Sequence, residues 1–160
     1  MDWVDHSVWW HVYPLGFCGA PIREEDTRPK PRMRRLLGWV DYAIDLGASG
    51  LLLGPVFASR THGYDSVDQF RIDPRLGDGR DFDDLITACR KRGLRIILDG
   101  VFSHVASDHP DVGRALLEGP GSEAAALFDI DWQATGGPKP RVFEGHEGLA
   151  RLDHTNPQTV

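Results

Sequence analysis

Three short stretches of this 160-residue chain gather side chains able to do chemistry: His11-Val-Tyr-Pro14, Thr61-His-Gly-Tyr-Asp65 and Asp99-Gly-Val-Phe-Ser-His104. In the second, the ring of Tyr64 stands between Gly63 and the Asp65 carboxylate. A flat apolar ring beside an acceptor-only carboxylate suits a sugar, which offers an apolar C–H face and hydroxyl donors. Plainer uses exist for the same residues. A loop tyrosine can be a surface hinge, and Asp99, at the end of an apolar run, can cap the loop that follows. Buried there, its charge must be hydrogen-bonded or paired. Asp99, His104, Asp108 and His109 are adequate zinc ligands in kind, but no His-x-x-x-His-like helical spacing accompanies them.

The elements that must position these groups alternate. Val8-Trp-Trp-His-Val-Tyr13, closed by Pro14, reads as a strand rich in aromatic and β-branched residues. A Pro-rich loop follows over 21–31. Met33, Leu36, Leu37, Val40, Ala43 and Ile44 then recur at helical spacing, with Gly47 as the stop. Gly50–Phe57 is a nearly continuous apolar run, as in a strand covered on both faces. A polar connection over 58–80 leads to a second helix marked by Phe82, Leu85, Ile86 and Cys89 and ended at Gly93. Residues 94–102 form a third apolar strand. The order β-α-β-α-β predicts a parallel sheet with right-handed crossovers, whose functional groups gather at the carboxyl ends of the strands. Residues 105–150 are rich in Gly, Pro and Asp, too long for a simple loop, and read as an irregular subdomain.

Composition narrows the partners. Eighteen Lys and Arg against 24 Asp and Glu give a net charge of −6, which argues against nucleic acid and anionic membranes. The one basic cluster, Arg28–Arg35, leads into the first helix and reads as its solvated start. No apolar stretch reaches the length of a membrane span, and the N-terminal residues lack a signal-peptide pattern. Cys18 and Cys89 stand apart and outside any ligand-spaced cluster. A reducing, cytoplasmic setting is the expectation.

Together the motifs resemble the α-amylase family of glycoside hydrolases. Thr61-His-Gly-Tyr-Asp65 followed by Ile72-Asp-Pro-Arg-Leu-Gly77 is similar to that family's HGYD…DPRLG segment. Leu98-Asp-Gly-Val-Phe-Ser-His104 resembles the D-x-V-x-N-H region at the end of barrel strand three. Val8-Trp-Trp-His-Val-Tyr-Pro14 resembles the opening strand, and Leu149-Ala-Arg-Leu-Asp-His-Thr-Asn-Pro157 the stretch before strand four. All four occur in order and span almost the whole chain.

The resemblance implies an α/β fold, the N-terminal β-α-β-α-β portion of a (β/α)8 TIM barrel with an inserted subdomain after strand three. The expected divisions are 1–104 (barrel strands and helices), 105–150 (inserted subdomain) and 151–160 (return toward strand four). It implies that Tyr64 stacks on a sugar ring, that Asp65 accepts hydrogen bonds from that sugar, and that His104 binds its hydroxymethyl group. His62 and Tyr13 would support the site. Asp99 would be structural, pairing with an arginine on strand four. Asp153 falls where the family often contacts substrate or calcium. A calcium ion is disfavoured, because Ser103 replaces the family's usual Asn and a hydroxyl is a poorer ligand than an amide carbonyl. No other metal or cofactor is expected.

The implied activity is that of a retaining α-glycosidase acting on an α-glucan or maltooligosaccharide. Such an enzyme needs a nucleophile and an acid/base carboxylate about 5–5.5 Å apart. The family draws its carboxylates from strands four, five and seven, so none is expected in this chain, which is expected to be inactive without the rest of the barrel. Two apolar sheet edges would be left open, and the 160 residues alone are expected to be poorly soluble. The same residues would also suit a non-catalytic carbohydrate-binding module, or a transglycosylase or isomerase of the family.

Overall fold

The computed structural model describes residues 3–24 and 27–159. The sequence readings that involve Met1, Asp2, Glu25, Asp26 and Val160 therefore lie outside the described residues. In chain order the strands are β1 (Trp9–Val12), β2 (Gly50–Leu53), β3 (Phe57–Ser59), β4 (Ser66–Ile72) and β5 (Arg95–Leu98). There follow β6 (His104–Ala106), β7 (Ile130–Asp131), β8 (Lys139–Pro140), β9 (Val142–Phe143) and β10 (His146–Arg151). The α-helices are α1 (Pro14–Phe17), α2 (Arg34–Leu37), α3 (Val40–Asp45), α4 (Gly79–Lys91) and α5 (Pro110–Glu118). The chain divides into two compact units, 1–58 with 69–100 and 59–68 with 101–160.

In the first unit β2 lies between β1 and β5, and all three run parallel. The register sets Trp9 and Arg95 on either side of Gly50, and Val12 and Leu98 on either side of Leu53. Parallel neighbours need crossovers, and the helices supply them. Leu51, Leu53 and Val12 are buried with Met33, Leu36, Val40, Leu85 and Cys89 from the helical segments. Gly50 is required by its neighbours: a Cβ there would collide with the Arg95 carbonyl and the Trp9 ring. The start of α4 is fixed by a capping box. Asp78 accepts from the Arg80 and Asp81 amides, and the Asp81 carboxylate accepts from the Asp78 amide.

The structure corrects several expected boundaries. The helical pattern over 33–44 is not one helix but α2 and α3, separated at Gly38 and Trp39. There the Trp39 amide bonds to Leu36, a tighter turn, and the Trp39 ring packs with Trp10, Phe17 and Tyr42. The apolar run 94–102 contributes only Arg95–Leu98 as strand.

The connection 58–80 contains the seven-residue β4, paired with β3 in a two-stranded ribbon. With one partner strand and most of its residues only half-buried, β4 carries polar residues and a fully exposed Phe70, so the alternation of a core strand is missing. The Asp-Pro-Arg-Leu-Gly segment after it has a structural task. The buried Arg75 guanidinium grips the Asp73 carboxylate at 2.8 and 2.6 Å and donates to the carbonyls of Ile22 and Pro21. The Pro74 and Leu76 carbonyls accept from the Lys30 and Met33 amides. These bonds tie the Pro-rich loop to the start of α2.

In the second unit β10 runs antiparallel between β6 and β9. Val105 and Ala150, paired across β6 and β10, are buried with Val112 and Ala115 of α5 and with Phe128. The region expected to be irregular is thus organised around a small sheet and one amphipathic helix. The unit also takes in 59–68, beyond the 105–150 span expected for a subdomain.

Candidate functional site

The turn Arg60–Asp65 is closed by its own side chains. The Asp65 carboxylate is buried, accepting from the Thr61 amide at 3.0 Å and the Thr61 hydroxyl at 2.5 Å. The Arg60 amide donates to the Asp65 carbonyl at 3.0 Å. Gly63 sits at φ +100°, a conformation that a side chain would strain. Within this frame the Tyr64 amide donates to His62 Nδ1 at 3.3 Å, and the two rings lie 5.9 Å apart. Tyr64 is 40% exposed while its neighbour Asp65 is 6% exposed. The turn therefore presents the ring outward and spends the carboxylate largely on itself.

His104, at the start of β6, reaches the same turn. Its Nε2 lies 3.0 Å from the Tyr64 carbonyl and its Nδ1 2.9 Å from the Ser103 hydroxyl. A carbonyl only accepts, so Nε2 carries the proton, and Nδ1 accepts from Ser103. The ring is buried and stacks on Phe143, with centroids 4.3 Å apart and planes 26° from parallel. Burial lowers its pKa below the ordinary histidine value, partly offset by the Tyr64 carbonyl and the Glu144 carboxylate. At neutral pH His104 is a neutral donor aimed at the turn.

Other sequence-predicted residues have partners of their own. Asp108 pairs with Arg60. His109 is the N-cap of α5, its Nδ1 accepting from the Asp111 amide at 3.2 Å. Asp153 Oδ1 accepts from the Thr155 amide at 2.9 Å and hydroxyl at 2.6 Å, bonds that lower its pKa. Tyr13 and Asp99 belong to the first unit. Tyr13 precedes α1, its carbonyl accepting from the Phe17 amide, and Asp99 follows β5 half-buried with its amide on the Leu53 carbonyl. The structure thus brings Tyr64, Asp65, His62 and His104 together within one unit.

Sequence reasoning missed Phe143 and the bond from Ser103 to His104. A signal for the first exists. Glu144 and Gly145 have φ of +47° and +81°, as a two-residue hairpin requires, and an X-Gly pair after Val142-Phe143 marks such a turn.

A comparison with protein families decides what these features belong to: the family model described as the catalytic domain of alpha amylase matches residues 34–134. The chain belongs to the α-amylase family. It is 33% identical over 147 residues to the intracellular maltogenic amylase of Bacillus subtilis, covering 81% of this chain and 24% of that protein. It is 31% identical over 144 residues to a cyclomaltodextrinase of Geobacillus thermopakistaniensis, with coverages of 81% and 24%. Among solved structures it resembles the cyclic alpha-maltosyl-(1→6)-maltose hydrolase of Arthrobacter globiformis in complex with maltose. That match has a TM-score of 0.77 at 26% identity and covers 99% of this chain and 40% of that one. The chain thus spans about a quarter of the length of the curated relatives it matches. Its parallel β1-β2-β5 sheet is the α/β arrangement of these barrel enzymes.

Calcium, which the family suggests at this corner, finds a poor donor set. It takes six to eight oxygens. The Ser103 hydroxyl is turned to His104, its carbonyl accepts from the Leu152 amide, and Asp153 is engaged by Thr155. Among the described residues no group of three or more His, Cys, Asp or Glu is arranged to hold a metal ion.

Proposed function

We propose that this chain furnishes a sugar-holding part of a retaining α-glucan hydrolase acting on maltooligosaccharides. The observation that carries the reading is the turn itself. A half-exposed Tyr64 ring is held by a buried Asp65 and a neutral His104, a rigid aromatic platform beside a carboxylate that can accept from a hydroxyl. The relatives supply the substrate class: their names are maltogenic amylase, cyclomaltodextrinase and a hydrolase of a maltosyl-maltose, the last in complex with maltose.

In this reading Tyr64 stacks on the sugar, Asp65 holds the turn and lends its remaining lone pairs to a hydroxyl, and His104, both of whose ring nitrogens are engaged, holds the Tyr64 turn in place of binding the hydroxymethyl group. His62, whose ring lies beside that of Tyr64, supports the site. The carboxylates that attack the anomeric carbon and protonate the leaving oxygen come from barrel strands that follow β5, and residues 105–150 form the core of the inserted subdomain. No cofactor enters this reading, and calcium is disfavoured because the Ser103 hydroxyl is engaged with His104. Buried, reduced Cys18 and Cys89, and a relative described by its name as intracellular, favour a cytoplasmic enzyme. No helix among the described residues is long and apolar enough to cross a membrane.

The test is maltotriose binding and hydrolysis by the intact protein and its Tyr64→Ala and Tyr64→Phe variants. Loss of the ring is expected to weaken binding roughly tenfold, and loss of the hydroxyl alone to change little. Equal affinity of Tyr64→Ala and wild type would overturn the platform.

A further inference from the structure

The Tyr64 turn does not hold itself alone, and what holds it lies on a different part of the second unit. The hairpin β9–β10 carries Phe143 at its tip, and Phe143 lies face to face with the His104 ring. A stacked neighbour at 4.3 Å leaves the imidazole one plane to occupy. Within that plane the ring can still be flipped or carry its proton on either nitrogen, and its two polar neighbours remove that freedom. The Tyr64 carbonyl only accepts, so the proton stays on Nε2, and the Ser103 hydroxyl, 2.9 Å from Nδ1, rotates to donate to that nitrogen. Nε2–H then reaches the Tyr64 carbonyl 3.0 Å away, forty residues earlier in the chain.

From this juxtaposition we infer that Phe143 and Ser103 are positioning residues for the sugar platform. Phe143 fixes the plane of His104, Ser103 holds its Nδ1 as a hydrogen-bond acceptor, and the Nε2–H bond to the Tyr64 carbonyl sets the position of the turn. Neither residue needs to touch the sugar. This assignment rests on the reading of Tyr64 as a sugar platform for its consequence, but not for its geometry, which exists without ligand.

Two features make the hairpin a specific support and not general packing. Its turn is tightly defined: Glu144 and Gly145, at φ +47° and +81°, are the two residues of the hairpin that joins β9 to β10. That turn directly follows Phe143. The pairing of β10 with β6 then sets Arg151 opposite His104, so one strand fixes the backbone of His104 while its own hairpin tip covers the ring. Arg151 is drawn away from the imidazole by Asp129, which it bonds at 3.1 Å. The role of Ser103 is particular to a hydroxyl, which rotates to donate to Nδ1.

The experiment is 15N-edited NMR of His104 in the intact, sugar-free protein above pH 6.5, the ordinary histidine value, followed by maltotriose titration. Wild type is expected to show the Nε2–H tautomer with a slowly exchanging imidazole proton. Phe143→Leu, which keeps bulk but not a flat face, is expected to lose that slow exchange and weaken maltotriose binding threefold to roughly tenfold. Phe143→Tyr is expected to restore both. Ser103→Ala is expected to speed the exchange by leaving Nδ1 without its donor and loosening the ring. An Nδ1–H tautomer in wild type, or a Phe143→Leu variant with unchanged exchange and affinity, would overturn the assignment. If the slow Nε2–H proton is present and responds to Phe143→Leu, yet wild type binds no maltotriose, the sugar reading fails and the support by Phe143 stands.

Discussion

Asp73 and Arg75 form a two-point ion pair two residues apart, with side chains only 1% and 4% exposed. The pair is not decorative. Arg75 also donates to the carbonyls of Pro21 and Ile22 and anchors the loop that precedes α2. Burial makes the pair sensitive to the loss of one member, because the survivor remains charged and desolvated.

Arg75→Ala or Asp73→Ala should therefore destabilise the protein by about 3–5 kcal/mol. Urea unfolding followed by tryptophan fluorescence measures this. The aromatic cluster of Trp10, Phe17, Trp39 and Tyr42 lies in the same unit and reports on it. A loss below about 1 kcal/mol, the level of an exposed pair, would contradict the role.

At the candidate site, Asp65→Ala leaves two donors of Thr61 without their acceptor. Losing these part-buried bonds should cost about 1–3 kcal/mol in all, so the variant should unfold earlier and bind maltotriose less tightly. Thr61→Ala removes one of the two bonds and should lie between it and wild type. If Asp65→Ala lost affinity at unchanged stability, Asp65 would serve the ligand and not the turn.

Stability should also depend on pH through two histidines. Burial is the first cause lowering the pKa of both His104 and His109 from the ordinary 6.5, with the Asp111 carboxylate offsetting part of it at His109. Each folded-state pKa lies below the unfolded one, so the unfolded chain binds more protons in the window between them. The contribution is complete above pH 6.5 and is lost as pH falls through the folded values. Thermal unfolding scans should show a midpoint that drops on acidification below pH 6.5. Replacing both histidines with glutamine should flatten that drop.

How much of this was legible follows from how far apart the partners are. The runs Gly50–Phe57 and Leu94–Phe102 announced β2 and β5 because strands covered on both faces leave no polar positions. The start of α4 was not identified by its cap, yet it is written locally, in Asp78 and Asp81. The ribbon β3–β4 reads as a polar connection because a two-stranded element that is only partly buried imposes no regular hydrophobic pattern. The break at Gly38 and Trp39 was hidden for a related reason. Helical periodicity persists across it, and what bends the chain is the packing of Trp39 on rings from β1 and α1.

The same division runs through the site. Family, parallel α/β order and the identities of Tyr64, Asp65 and His104 were set by sequence alone, since short motifs and apolar periods are local properties of the chain. Even the Asp65–Thr61 bonds span only four residues. Only the tertiary structure decided that the Asp65 carboxylate turns inward, that the Ser103 hydroxyl faces His104, and that Phe143 covers the His104 ring. Those outcomes depend on strand register and hairpin geometry. The sequence states which side chains exist, but contacts forty residues apart form only when the folded backbone brings their donors, acceptors and ring faces within reach.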